Sequence, residues 1–140
     1  MKIRKWFVIA LGAYVGFVLI FETIFLGYLQ PTFDRRGIPT LNIITQNSIG
    51  KLSKRRLAWF QSSEGHIYVS AHHWTRGWYN ELLENPQVQV EIGNTVSPRT
   101  AITIHGEEYD KISTEYSIPL IVRLLMGFPP KRDIVRLEPT

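Results

Sequence analysis

Apolar and polar positions divide this chain into two unlike parts. From Trp6 to Leu29 the sequence reads WFVIALGAYVGFVLIFETIFLGYL, a run of 24 residues whose only charge is Glu22. As a helix it reaches about 36 Å, against a hydrocarbon core of roughly 30 Å, so it can span a bilayer with some tilt. The run exceeds the usual apolar core of a signal peptide, and GYLQPTF offers no small-x-small cleavage site. We therefore read residues 1–30 as an uncleaved membrane anchor that Pro31 ends.

Past a short polar connection to Pro39 the periodicity changes. LNIIT (41–45), LAWFQ (57–61) and HIYVSA (66–71) are rich in β-branched and aromatic residues, and SSEG supplies a hairpin turn between the last two. VQVEI (88–92) alternates cleanly, with Val88, Val90 and Ile92 predicted inward and Gln89 and Glu91 outward. AITIH (101–105) repeats that alternation after a GNTVSP turn, and DIVRL (133–137) reads as a last strand. Between strands, Thr75 can cap a helix of roughly ten residues that stops at Asn85-Pro86. A second helix is expected from Glu107 to before Pro119, followed by PLIVRLLMGFPP, apolar apart from Arg123. Many short strands with two short helices indicate an α+β domain over residues 31–140, an antiparallel barrel or a sandwich.

Composition narrows the function classes. A length of 140 residues suits one core. Without residues 1–30 the chain keeps 13 basic and 11 acidic residues, a net charge of +2 that is no nucleic-acid footprint. The absence of cysteine excludes disulfides, thiolate metal sites and cysteine catalysis. Positive charge is local instead: KLSKRR places Lys51, Lys54, Arg55 and Arg56 within six residues. Lys2, Arg4 and Lys5 on one side of the anchor, against Arg35 and Arg36 on the other, lean only slightly toward a cytoplasmic N-terminus. Gly12 and Gly16 form a G-x-x-x-G pair of the kind that lets two helices approach closely. Glu22 lies near enough to the end of the span to snorkel or sit in a wet groove. His72 and His73 are no metal site, since only His66 and His105 remain as imidazole partners and neighbours on an extended chain point to opposite sides.

Several pieces in order carry a resemblance: GKLSKRR after a strand, a hairpin into YVSA, WYNELLENPQVQVEIG, HGEEYDKI, and a closing RDIVRLEP. Together they resemble the deazaflavin-dependent nitroreductase family, over about residues 40–110 and the last eight, with W-Y…N-P-x-V-x-V the most specific part. The resemblance implies a split antiparallel β-barrel, similar to flavin-binding pyridoxamine-phosphate oxidase domains. It further implies a deazaflavin coenzyme of the factor-420 type, or FMN as the alternative. It implies hydride transfer from the reduced ring to a quinone-like or nitroaromatic acceptor. Lys51, Ser53, Lys54, Arg55 and Arg56 would hold the cofactor phosphate, Ser70, Ala71 and His72 would meet the ring, and Trp78 and Tyr79 would support the pocket. No side chain is assigned a catalytic role, because the cofactor carries the hydride chemistry. Lys51 stands where the family has arginine, Lys54 where it has a second glycine, and Glu81 where it has asparagine.

The expected protein is thus a single-pass enzyme of an inner bacterial membrane, with membrane lipid and a small-molecule acceptor as partners. Split barrels of this type are often dimers. The competing reading is a non-catalytic membrane-tethered barrel that binds a lipid, a small molecule or a partner protein.

Overall fold

A computed structural model of the chain describes residues 2–29, 37, 39–72, 74 and 76–140. The expected cap Thr75, the second histidine His73, and Pro31, Arg35 and Arg36 of the connection lie outside these described residues. Helix α1 (Lys2–Ile24) runs on into a wider π-helical turn, Phe25–Leu29. Six strands follow: β1 (Thr40–Gln46), β2 (Leu52–Gln61), β3 (Ile67–Ala71), β4 (Gln87–Ile92), β5 (Thr95–Thr103) and β6 (Asp133–Pro139). Three short helices interrupt them: α2 (Gly77–Glu84), α3 (Gly106–Glu115) and α4 (Leu120–Leu125).

The strands close into an antiparallel barrel in the order β1-β2-β3-β6-β5-β4. Closure rests on three residue pairs between β1 and β4, from Asn42↔Glu91 to Ile44↔Gln89. A closed barrel leaves no strand edge to template pairing with another chain. Strand alternation sends Leu41, Ile43, Leu57, Val69, Val88, Val90, Val135 and Leu137 into one core, as the period-two pattern demands. Helix α2 plugs that core with Trp78, Tyr79 and Leu82. It stops where expected, before Pro86, whose carbonyl accepts from Ala101 N at 2.8 Å and ties the helix exit to β5.

Two strands are longer than their apolar patterns. β2 begins at Leu52, so most of KLSKRR is strand rather than loop. Its first half lacks apolar alternation because Lys54 and Arg56 face outward, while Ser53 pairs across from Thr45 near α2, where the barrel interior is already polar. β5 begins at Thr95, reducing the expected GNTVSP turn to Gly93-Asn94, with Gly93 at φ +60°. Pro98 sits inside that strand opposite Gln89, a position the usual aversion of strands to proline argues against. The apolar PLIVRLLMGFPP segment forms a third short helix, α4, one more than the pattern indicated.

Outside the barrel, α3 covers Tyr68, Ile104 and Ile134 with Ile112, and Phe60 stacks on Tyr116 at 3.8 Å between ring centres. A polar network closes one edge of this layer: Glu108 accepts from Tyr68 Oη at 2.8 Å and from Arg136, which also bridges Glu138. Burial, then the bond to Glu108, push the Tyr68 phenol up to about 12. Burial opposes ionisation of Glu108, yet the bonds from Arg136 and Tyr68 outweigh it and hold its carboxyl below the ordinary value. A depressed folded pKa stabilises the fold above the unfolded value of about 4.3 and loses that contribution as pH falls through the folded value. Thermal unfolding followed from pH 7 to 3 should therefore show an acid-side loss of stability. Glu108→Gln should flatten that slope while starting lower at neutral pH.

Candidate functional site

The basic half of β2 splits its charges between two faces. Lys54 meets Glu91 Oε2 at 2.6 Å, and Asn42 donates to the same oxygen at 2.7 Å while its amide oxygen accepts from Arg56 Nε at 3.4 Å. Lys54, followed by the Asn42 amide, holds the Glu91 carboxyl below its usual value. On the opposite face Ser53 Oγ donates to Glu81 Oε1 at 3.1 Å, and the buried Thr45 hydroxyl donates to the other oxygen of Glu81. Arg55 lies on that face and is exposed. Lys51 is exposed at the head of the strand, where Asn47 Oδ1 accepts from its backbone N–H at 2.8 Å and fixes the β1–β2 turn.

The expected ring-binding segment lies at the C-terminal end of β3. Ala71 points into the core, so Ser70 and His72 share the outer face. Ser70 Oγ is buried with no hydrogen-bond partner among the described residues, an expensive state for a hydroxyl unless something else satisfies it. His72 Nδ1 lies 3.2 Å from the Ser70 carbonyl; a ring that donates there carries its lone pair on Nε2 when neutral. β2 and β3 run antiparallel from Trp59↔Val69 to Gln61↔Ile67, so the basic half of β2 lies toward the His72 end of β3. The structure thus brings the cations and the Ser70–His72 segment to one end of the barrel. Trp78 and Tyr79 are buried in the same core cluster as Ala71, their rings edge to face at 6.1 Å.

His72 also opens onto a cavity of about 400 Å³ between α3, α4 and the segment before β6. Tyr109, Arg123, Met126, Lys131 and Arg132 line it, and none of its described lining residues is acidic. Arg132 donates to the Ser113 carbonyl at 2.9 Å, and burial pushes its guanidinium down from the usual value. Lys131 Nζ sits 4.2 Å from the centre of the Tyr109 ring, a cation–π contact. Arg76 holds the segment by pairing with Asp133 at 2.6 Å and donating to the Pro130 and Lys131 carbonyls. Sequence reasoning missed this wall, whose only signal was a pair of cations, Lys131 and Arg132, just ahead of the last strand. It also missed the role of Glu22, which accepts from the backbone N–H of Trp74 at 2.9 Å and ties α1 to the loop after His72.

No protein-family model matches the chain, and no curated protein matches it. Solved structures do. One, described as a domain-swapped dimer, is 20% identical, with 80% of this chain and 98% of that one covered and a TM-score of 0.57. HutZ, the heme storage protein of Vibrio cholerae, is 19% identical over 80% of this chain and 90% of its own, with a TM-score of 0.55. An FMN-binding protein from Nostoc punctiforme related to pyridoxamine 5'-phosphate oxidase is 13% identical over 82% and 80%, with a TM-score of 0.51. At such identities the likeness is one of fold: the chain is a split barrel of six antiparallel strands preceded by one long apolar helix.

Proposed function

We propose that this chain is a membrane-anchored split-barrel oxidoreductase, with residues 1–30 as anchor and 31–140 as a barrel that binds a deazaflavin or FMN. The reading is carried by the buried hydroxyl of Ser70, unpartnered among the described residues, one strand step from His72 at the mouth of a cavity with no acidic side chain among its described lining residues. A ring carbonyl or ring nitrogen would satisfy that hydroxyl. Lys54 and Arg56, which share the outer face with Ser70 and His72, would flank the phosphate, and Lys51 and Arg55 would meet it from the other face at the same barrel end. Bound and reduced, such a ring supplies hydride. The chain's own part is to orient the acceptor: Arg123, Lys131, Arg132 and His72 offer donors to the oxygens of a quinone-like or nitroaromatic molecule. Fold relatives that bind FMN or form dimers support a flavin-type ligand and a homodimer.

A specific observation favours the runner-up, a non-catalytic membrane-tethered barrel that has lost cofactor affinity and binds a lipid, a small molecule or a partner protein. Glu81 occupies Ser53 and Glu91 occupies Lys54, so carboxylates stand where a phosphate needs donors. If phosphate lodges beside Ser53, Glu81→Gln should tighten FMN binding about fivefold, the worth of removing one screened like-charge contact of about 1 kcal/mol. Fluorescence titration of both proteins checks this.

The two readings part in a stopped-flow experiment on the full chain in lipid nanodiscs, loaded with reduced cofactor. Acceptor-dependent oxidation of the ring on adding a quinone analogue or a nitroaromatic supports the enzyme. No cofactor binding, or binding with no acceptor-dependent oxidation, supports the runner-up.

A further inference from the structure

Helix α4 has no buried residue, although five of its six residues are apolar. Leu120 is 70% exposed, Ile121 61% and, just past the helix, Phe128 47%. A patch of this kind on a small barrel needs an occupant. Its neighbour names one. Tyr14, Val18 and Glu22, spaced four apart on one face of α1, all touch the domain at or near α4. Tyr14 Oη donates to the Leu124 carbonyl at 2.7 Å, and Trp74 N to Glu22 at 2.9 Å. Val18 lies so close to Gly127 that a Cβ there would meet it at 2.6 Å.

Length then decides the matter. Beyond the Tyr14 contact the apolar run extends only from Trp6 to Ala13, with Lys2, Arg4 and Lys5 ahead of it, about 12 Å of helix against a hydrocarbon core of roughly 30 Å. If α1 spans, the level of Leu124 lies inside the membrane. The end of α4 is prepared for that environment, in which every backbone polar group needs a partner. Leu124 O takes the Tyr14 hydroxyl, Met126 O takes Trp74 Nε1 at 3.1 Å, and Arg123 O takes Phe128 N at 2.8 Å. The helix's one charge, Arg123, lines the cavity.

We infer that α4, through Leu120, Ile121, Leu124 and Phe128, enters the hydrocarbon beside α1, so that the chain holds the bilayer by a span and an inserted helix together. The inference rests on the anchor reading of α1. Since the chain has no cysteine, single spin labels can be placed at Val8 on α1, Ile121 on α4 and Val96 on the barrel, all exposed positions. The labelled full-length chain is reconstituted in phosphatidylcholine–phosphatidylglycerol nanodiscs, and label accessibility to oxygen and to a water-soluble nickel chelate is compared.

The expected result is an oxygen-dominated Ile121 that matches Val8, with Val96 dominated by nickel. A lipid-facing Val8 with a nickel-accessible Ile121 overturns the insertion of α4 and leaves the anchor standing. A nickel-accessible Val8 overturns both. Ile121 shielded from both reagents, with dipolar broadening between labels, assigns the patch to a second copy and overturns the inference.

Discussion

Trp78→Ala is expected to cost the barrel about 3–5 kcal/mol, the usual range for removing a buried aromatic and leaving the surrounding core only partly able to collapse. Trp78 is 8% exposed and packs with Tyr79 and Leu82 in the cluster that fills the barrel. Helix α2 buries those three residues over the barrel mouth, and its further ties to the barrel include the bonds that Glu81 accepts from Ser53 and Thr45. Trp78→Phe should recover most of the loss, because an aromatic ring still fills the space. Denaturant unfolding of the detergent-solubilised chain, followed by far-ultraviolet circular dichroism, reads both. The pair also separates scaffold from ligand contact. If Trp78 only plugs the core, the phenylalanine variant keeps cofactor affinity; a lost affinity with retained stability would put the indole in the binding site.

Gly127→Ala carries the second large effect, about 2–4 kcal/mol. The methyl would meet Val18 side-chain carbons at 2.6 and 3.0 Å, and Gly127 stands at φ +73°, where an L side chain is strained. Overpacking costs typically 1–3 kcal/mol and the left-handed backbone about one more. Val18→Ala removes the obstructing methyls, so the double variant should recover the packing part and keep the backbone part. Thermal unfolding of the single and double variants checks both components.

How much of this was legible in the sequence varies with the physics behind each part. The uniform apolar run to Leu29 was readable as a helix of membrane-crossing length from its length and composition, and the alternation of Val88, Val90 and Ile92 because burial dictates it. The extra length of β2 was not: its first residues face water or Glu81, so no apolar period marks them. Pro98 hid the start of β5 in the same way, since a proline argues against a strand that backbone pairing with β4 nevertheless builds. Within the site, the Ser70–His72 strand end and the cations came from a motif. The pairing of Glu81 with Ser53, and of Glu91 with Lys54, joins residues dozens of positions apart and needed the barrel register. The same is true of Glu22, a suspect in isolation that proves to hold the loop after His72 through Trp74 N. The cavity wall from Lys131 and Arg132 lacked any period or motif, because it depends on how three short segments meet.

The central claim is that the Ser70–His72 end of the barrel holds a flavin-type ring. The most direct measurement is a titration of the full chain in nanodiscs with FMN and, separately, with a factor-420-type deazaflavin, read by ring fluorescence. Saturable quenching with at least one ring is expected, weakened in Ser70→Ala, which removes the buried hydroxyl, and in Arg55→Ala, which removes one of the exposed cations. No spectral change with either ring at concentrations approaching millimolar would contradict the account.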